Sequence, residues 1–158
     1  MKSLLEFAKT SYKVYHGTNT DFKKFALDSS KSSQAKVGWF VDDYDYASSQ
    51  GQFVKEFTLS PNKILSKDSI LTVSDDDIIN AIQEYKPKLK RDKIEKVLPK
   101  LKKNIQKYIN GDVSGFDMFN GFGDVNVLKK LGFDMEILPN PYDNKSKFYI
   151  VYDDNIVN

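Results

Sequence analysis

The first predicted strand reads YKVYH at residues 12–16, and Gly17 and Thr18 follow it directly. Its tyrosines and valine favour extended backbone. Working outward, a second β-rich run reads VGWFV at residues 37–41. A third, FVKEFTL at 53–59, alternates apolar and polar residues with the period of a strand. The N-terminal third of the chain is therefore predicted to supply three strands.

Helices are predicted in the middle of the chain. Apolar residues at helical spacing indicate helices over 75–86, from Ile94 to Gly111 and near 125–131, and Pro99 is expected to kink or split the second. A short amphipathic helix is predicted for residues 1–9, and two strands, 133–138 and 147–153, end the chain. Strands at both ends with helices between them predict an α+β fold.

Composition excludes several classes of protein. The chain has 158 residues, 40% of them hydrophobic, which is typical of one folded domain and excludes a disordered one. It has no cysteine and one histidine, so disulfide scaffolds, thiolate sites and multi-histidine metal sites are excluded, and no metal is expected. Without an apolar run near the roughly 18 residues of a membrane span, or a signal-peptide core, we expect a soluble, cytoplasmic protein that does not bind membranes.

The net charge of +2 is unevenly distributed along the chain, which contains one strongly basic segment. Residues 86–107 hold ten of the 24 lysines and arginines and only two acids, Asp92 and Glu95. Such a segment is either the solvated face of a helix or a contact for an acidic partner. Because Arg91 is the only arginine, nonspecific phosphate attraction is favoured over base-specific recognition.

His16 and Gly17 form the first candidate site. One interpretation is that this histidine, at the end of a strand, only stabilises the fold. Alternatively, Gly17 would let a ligand approach the backbone and pair with a carboxamide, while His16 donates to a ribose hydroxyl. Those are the contacts that a nicotinamide riboside requires.

The chain resembles a known family at these residues and three others. The runs are YHGT at 15–18, Phe22 with Phe25, GWFVD at 38–42, and LKKLGFD at 128–134 followed by FYIVYD at 148–153. In this order they resemble the NAD-binding core of ADP-ribosyltransferases of the diphtheria-toxin and poly(ADP-ribose) polymerase type, including small phage-associated members. The resemblance covers residues 12–60 and 122–157. It implies one domain over 1–158, a split two-sheet core, a helical insertion at 61–121 and NAD as co-substrate.

The resemblance also implies site residues. The family histidine matches His16, but its first tyrosine falls on Trp39, its second near Gln50, and its glutamate on Phe148. Tyr44 or Tyr46 would then replace the second tyrosine. The residues expected to contact NAD are His16, Gly17, Thr18, Trp39, Phe40, Tyr44, Tyr46 and Phe148, with loop 19–36 as a lid.

The missing glutamate is the largest departure from the family. A carboxylate near the ribose stabilises the oxocarbenium-like state in which the nicotinamide bond breaks, and phenylalanine cannot do so. Glu136 is the candidate substitute acid beside His16 as a catalytic residue. Asp42, Asp43, Asp143 and Asp153 are further candidates, and each of these acids also fits a turn or a helix cap.

Three functions remain open on the sequence. The first is an NAD-dependent mono-ADP-ribosyltransferase that modifies a macromolecular acceptor, protein or nucleic acid, as a phage or bacterial effector would. The second is a degenerate member that binds NAD, ADP-ribose or nucleic acid without transfer. The third is an interaction protein that acts through the basic segment 86–107.

Overall fold

The computed structural model describes residues 10–27 and 37–158. The helix predicted for residues 1–9 and positions 28–36 of the expected lid lie outside the described residues. Within them, six strands form one mixed β-sheet accompanied by five α-helices. The predicted α+β class is confirmed.

Each strand predicted from the sequence is present, with ends displaced by at most two residues. The strands are β1 (Tyr12–Thr18), β2 (Gly38–Val41), β3 (Phe53–Leu59), β4 (Ile64–Leu65), β5 (Met135–Pro139) and β6 (Lys147–Val151). Their order across the sheet is β3-β1-β2-β6-β5-β4. All neighbours are antiparallel except β4 and β5, which run parallel. The two-residue β4 was not predicted because it is too short to show a periodic pattern.

The described strands form one hydrogen-bonded sheet and not the two sheets that the resemblance implied. β2 bridges the halves, because it pairs with β1 on one side and with β6 on the other. In the second pairing Trp39 lies opposite Ile150 and Val41 lies opposite Phe148. This register brings a residue from each end of the chain to neighbouring positions on one face.

The two faces of the sheet support separate hydrophobic cores. Side chains alternate between the faces along each strand. One face packs a small core that includes Val14, Phe40 and Tyr149. The other packs Ile150 and neighbours into a larger core under the helices. The face that carries Ile150 also carries the functional site described below.

Side chains cap the start of three of the five described helices. They are α1 (Tyr44–Ser48), α2 (Lys67–Leu71), α3 (Asp75–Tyr85), α4 (Arg91–Ile109) and α5 (Asp124–Lys130), with 3-10 turns at Gly115–Asp117 and Asp154–Ile156. The Asp43 carboxylate accepts a 2.9 Å hydrogen bond from the Tyr46 amide, and the Ser74 hydroxyl accepts one of 3.1 Å from the Asp77 amide. None of the helices described is both long and apolar enough to cross a bilayer.

Residues 61–121 contribute to the same core as the rest of the domain. β4 from this segment pairs with β5. Leu65, Ile82 and Leu101 are buried in one cluster with Phe133 and Tyr152 from the C-terminal part. The segment predicted to be an insertion therefore covers one face of the sheet and supplies one of its edges.

Of the two effects expected of Pro99, a kink or a split, the split does not occur. Helix α4 continues through Pro99, although proline has no amide hydrogen to donate to the Glu95 carbonyl. Ile94 lies before the proline and Leu101 after it, and both are buried in the core. Packing of both halves therefore holds the helix together across the missing hydrogen bond.

Replacing this proline should stabilise the protein. Proline is about 3 kcal/mol less favourable than alanine inside a helix, so we expect Pro99→Ala to raise the free energy of unfolding by roughly 1–3 kcal/mol. Urea unfolding followed by circular dichroism measures the change. Gln106→Ala, on the exposed side of the same helix, should change it by less than about 0.5 kcal/mol. A Pro99→Ala protein no more stable than the original would contradict this account of α4.

Candidate functional site

An open cleft of about 570 Å³ lies where α1 passes over β1, β2 and β6. This volume falls within the range of small-molecule sites. We call it the aromatic cleft; its lining residues are Tyr15, His16, Gly17, Trp39, Phe40, Val41, Tyr46, Ala47, Gln50, Leu138, Pro139, Pro141, Tyr142 and Phe148. Among residues 10–27 and 37–158, no Asp, Glu, Lys or Arg side chain lines it. The described lining is therefore apolar and close to electrically neutral.

Aromatic rings form the walls of this cleft. The Tyr46 and Tyr142 rings are nearly parallel, with centroids 6.5 Å apart, and Phe148 lies 5.6 Å from Tyr46. The Trp39 ring meets Phe148 edge-on at 5.7 Å. Trp39 is 44% exposed and Tyr142 is 78% exposed, unusual values for such large rings in a folded protein. Exposed rings that surround one cavity provide flat surfaces for a planar ligand.

Gly17 is required by the packing of α1. A Cβ atom at Gly17 would overlap the carbonyl oxygen of Ala47 and press on Gln50. Helix α1 can therefore approach β1 closely only because residue 17 has no side chain. Gly38 is similar, since a Cβ there would overlap the ring of Phe25. Neither glycine needs a ligand to explain its presence.

The His16 ring lies on the sheet face opposite the main aromatic wall. Its neighbours Tyr15 and Gly17 alternate with it along β1 and point to the cleft side. The imidazole packs 5.6 Å from Phe25 and 5.4 Å from Phe40, and Nδ1 lies 2.7 Å from the Trp39 carbonyl oxygen.

Because a carbonyl only accepts, His16 Nδ1 carries the hydrogen of this bond. The neutral ring then presents Nε2 as an acceptor. The expected donation from His16 to a ribose hydroxyl does not match this tautomer. The histidine links β1 to β2 and holds the backbone of Trp39 at the cleft.

The structure does not bring Glu136 to the cleft. Its side chain is fully buried, with the carboxylate accepting hydrogen bonds from the Gly115 amide at 2.9 Å and from the Tyr152 hydroxyl at 2.5 Å. A Cβ atom at Gly115 would overlap this carboxylate, so glycine is needed there too. Burial raises the pKa of Glu136, against the lowering effect of the hydrogen bond from Tyr152. The carboxyl group braces the turn at Gly115–Asp117 and does not replace the family glutamate in the cleft.

The aspartates considered as substitutes have structural partners. Asp42 accepts a 2.9 Å hydrogen bond from the Lys147 amide, and Asp143 accepts bonds from the Lys145 and Ser146 amides. Asp153 caps the turn at Asp154–Ile156, as Asp43 caps α1. The interpretation as cap or turn residues fits Asp43, Asp143 and Asp153, whereas Asp42 links the end of β2 to β6.

Two residues expected to contact NAD do not line the cleft. The Thr18 hydroxyl accepts a hydrogen bond from the Thr20 amide. Tyr44 is 56% exposed, and its ring meets Tyr15 edge-on at 5.5 Å from outside the cavity. The cleft instead brings together Gly17, Trp39, Tyr46 and Phe148 from the expected set, with His16 and Phe40 at its border.

Sequence reasoning missed several lining residues, chiefly Tyr15 and Tyr142. Tyr142 follows Asn140-Pro141, residues that are typical of a turn. Burial raises the pKa of the neighbouring Tyr46 hydroxyl, with smaller contributions from Tyr142 and Asp143. Tyr46 therefore keeps its proton and can donate a hydrogen bond inside the cleft.

A second cavity of about 960 Å³ adjoins the aromatic cleft. The two share Leu138, Pro139 and Pro141 as lining residues. Lys67, Lys145 and Lys147 line the second cavity, whose only acidic lining residue is Asp112. A neutral aromatic cavity thus continues into a basic one across the end of β5.

In residues 10–27 and 37–158, no group of three or more His, Asp or Glu side chains is arranged to hold a metal ion. Compared with known proteins, the chain matches no family model, no curated protein and no solved structure.

The buried Glu136 gives a pH-dependent stability. Because its pKa is raised in the folded protein, the unfolded chain loses the proton more readily, and Glu136 lowers stability as the pH rises from its usual pKa through the folded one. Glu136→Gln removes this ionisation. We expect the Gln variant to match the original protein near pH 4 and to be more stable at pH 8, measured by urea unfolding at both values.

Glu84→Gln is the matched control for this prediction. Glu84 is 62% exposed and pairs with Lys130 on the surface, so its replacement should leave the pH profile unchanged. A Glu136→Gln protein less stable than the original at pH 8 would show that the hydrogen bonds to Gly115 and Tyr152 depend on the charge.

Proposed function

We propose that the aromatic cleft binds the nicotinamide end of NAD⁺, and that the protein holds the dinucleotide without transferring ADP-ribose. The observation that carries this proposal is the lining of the cleft. Six of its residues are Tyr, Trp or Phe, and none of the described residues that line it is Asp, Glu, Lys or Arg. The resemblance to the NAD-binding core of ADP-ribosyltransferases led to NAD as the ligand. The proposal also gives this chain a core like that of the family, with the pairing of β2 and β6 joining its two halves into one sheet.

The charge of the ligand fits this lining. Oxidised nicotinamide is a planar cation, and the faces of Trp, Tyr and Phe rings attract cations. Trp39, Tyr46 and Tyr142 provide such faces, and no lysine or arginine lines the cleft to repel the pyridinium. Reduced nicotinamide has lost both the charge and the full planarity. We therefore expect the cleft to prefer NAD⁺ to NADH.

Polar groups at the cleft can orient the ring. Gln50 carries an amide at its border, and Tyr46 keeps a hydroxyl proton that it can donate. Both can pair with a carboxamide. The lysines of the adjoining cavity, Lys145 and Lys147 among them, supply positive charge where a pyrophosphate leaving the cleft would lie. The neutral cleft therefore suits the cationic nicotinamide, and the basic cavity suits the anionic pyrophosphate.

Binding without transfer follows from the missing carboxylate. Breaking the bond between nicotinamide and ribose develops positive charge on the ribose, which an enzyme stabilises with a negative group. Phe148, the residue on which the family glutamate falls by the resemblance, lines the cleft, and Glu136 is buried elsewhere. Transfer of ADP-ribose would need a carboxylate from the acceptor.

Tryptophan fluorescence tests the proposal directly, because Trp39 is the only tryptophan in the chain and lines the cleft. Adding NAD⁺ should change its emission in a saturable way, with NADH and ADP-ribose binding about two- to fivefold more weakly, as expected for the loss of one cation–π contact of about 0.5–1 kcal/mol at exposed rings. A parallel assay for nicotinamide release should detect none.

Tyr142→Ala and Tyr44→Ala form a matched pair of variants. Both remove an exposed tyrosine, but only Tyr142 lines the cleft. We expect the first to weaken NAD⁺ binding about tenfold and the second to change it less than twofold. An unchanged Trp39 signal at millimolar NAD⁺ would overturn the binding proposal. Nicotinamide release by the unmodified protein would overturn the proposal of binding without chemistry, and labelled ADP-ribose would then show whether the acceptor is water or a macromolecule.

A further inference from the structure

Five exposed lysines form a straight row along helix α4. Lys93, Lys96, Lys100, Lys103 and Lys107 follow one another at intervals of three, four, three and four residues, and all five are exposed. Residues at this spacing lie on one side of an α-helix. With a rise of about 1.5 Å per residue, the row is about 21 Å long. We call it the lysine stripe.

The stripe differs from the other cations of α4 in forming no ion pair. On the same helix Arg91 pairs with Asp76 and with Glu95, and Lys102 lies 2.8 Å from Asp75. The five stripe lysines make no ion pair with any residue that the structure describes, and Asp92, four residues before Lys96, is the one acid of α4 on their side of the helix. Helix α4 therefore has a neutralised flank towards α3 and a flank with a large excess of positive charge.

This arrangement works against the helix itself. Like charges three or four residues apart destabilise a helix, and the stripe contains four such pairs. Acidic residues in alternation would have removed this cost, as they do on the flank towards α3. A row of uncompensated charge is thus better suited to a partner that brings the opposite charge than to solvent alone.

We infer that the lysine stripe binds the phosphate backbone of nucleic acid, independently of base sequence. Duplex nucleic acid carries about one phosphate charge per 1.7 Å of its axis, so a 21 Å length holds about 12 phosphates on its two strands. Five lysines can each meet a phosphate over that length. Lysine neutralises phosphates as a point charge and lacks the planar fork with which arginine reads bases.

Other anionic partners fit the stripe less well. Helices that bind membranes place large apolar side chains in the lipid, but none of the large hydrophobic residues exposed in the described chain lies on α4. Protein interfaces usually need buried aromatic anchors, which the stripe also lacks. This inference uses none of the cleft residues and does not depend on NAD binding.

Salt dependence is the measurement that identifies a phosphate contact. A labelled random-sequence duplex of 20 base pairs is titrated with the protein by fluorescence anisotropy between 50 and 200 mM NaCl. Five contacts predict a slope of log K against log salt near −4.5 for a duplex and near −3.5 for a single strand. Duplex DNA, duplex RNA and single-stranded DNA are run in parallel to determine which form the stripe prefers.

The matched variants remove three charges each. Lys96→Gln with Lys100→Gln and Lys103→Gln takes them from the stripe, and should weaken duplex binding about 100-fold at 100 mM salt and reduce the slope to about −2. Lys23→Gln with Lys24→Gln and Lys129→Gln takes them from exposed sites elsewhere, and should weaken binding less than threefold. Circular dichroism confirms that both variants fold.

Three results would overturn the inference. Equal weakening by both triple variants would assign the binding to net charge alone. A slope near zero would exclude backbone contacts. Poly-glutamate of the same length, or vesicles with 30% phosphatidylserine, competing as strongly as the duplex would identify a partner other than nucleic acid.

Discussion

The pairing of β2 with β6 is the constraint on which the rest of the structure depends. β2 is only four residues long, yet it joins the N-terminal strands to the C-terminal ones and completes the sheet. Its register places Val41 opposite Phe148, so that Trp39 and Phe148 become neighbours on one face. Without this pairing the chain would have two separate three-stranded sheets, β3-β1-β2 and β6-β5-β4, and no aromatic cleft between them. The His16 side chain supports it by holding the Trp39 carbonyl.

The core under the helices and the aromatic cleft differ in whether they contain a charged group. The core under the helices accepts one carboxylate, Glu136, because the Gly115 amide and the Tyr152 hydroxyl satisfy its oxygens. The cleft contains no such group. A carboxylate at position 148 would face aromatic rings with few donors to stabilise it, whereas phenylalanine packs against Trp39 and Tyr46. If the cleft binds NAD⁺ as we propose, the aromatic lining that attracts the nicotinamide cation also lacks the carboxylate that would stabilise the breaking of its glycosidic bond.

Much of the fold could be predicted because the relevant signals are local. The alternation in FVKEFTL gave β3 its exact bounds, and Asp43 and Ser74 cap the helices that follow them. What failed depended on distant contacts. Pro99 stays inside α4 because buried residues on both sides hold the helix, and β4 exists only because β5 lies beside it. No local pattern reports either contact.

The site was predictable only in part for the same reason. The resemblance pointed to Trp39, Tyr46 and Phe148, and the structure brings these rings together. Tyr142 is added by the turn before β6, and its position depends on the side-chain bonds among Asn140, Asp143 and Ser146 that shape this turn. Gly17 was interpreted as a point of ligand approach, but the Ala47 carbonyl lies there.

Gly17 therefore indicates that another group approaches the backbone closely. The structure shows that this group is helix α1. The consequence for the site is direct. Because Gly17 admits the helix, α1 can hold Tyr46 over β6, and the wall facing Trp39 is built from a packing requirement of the fold.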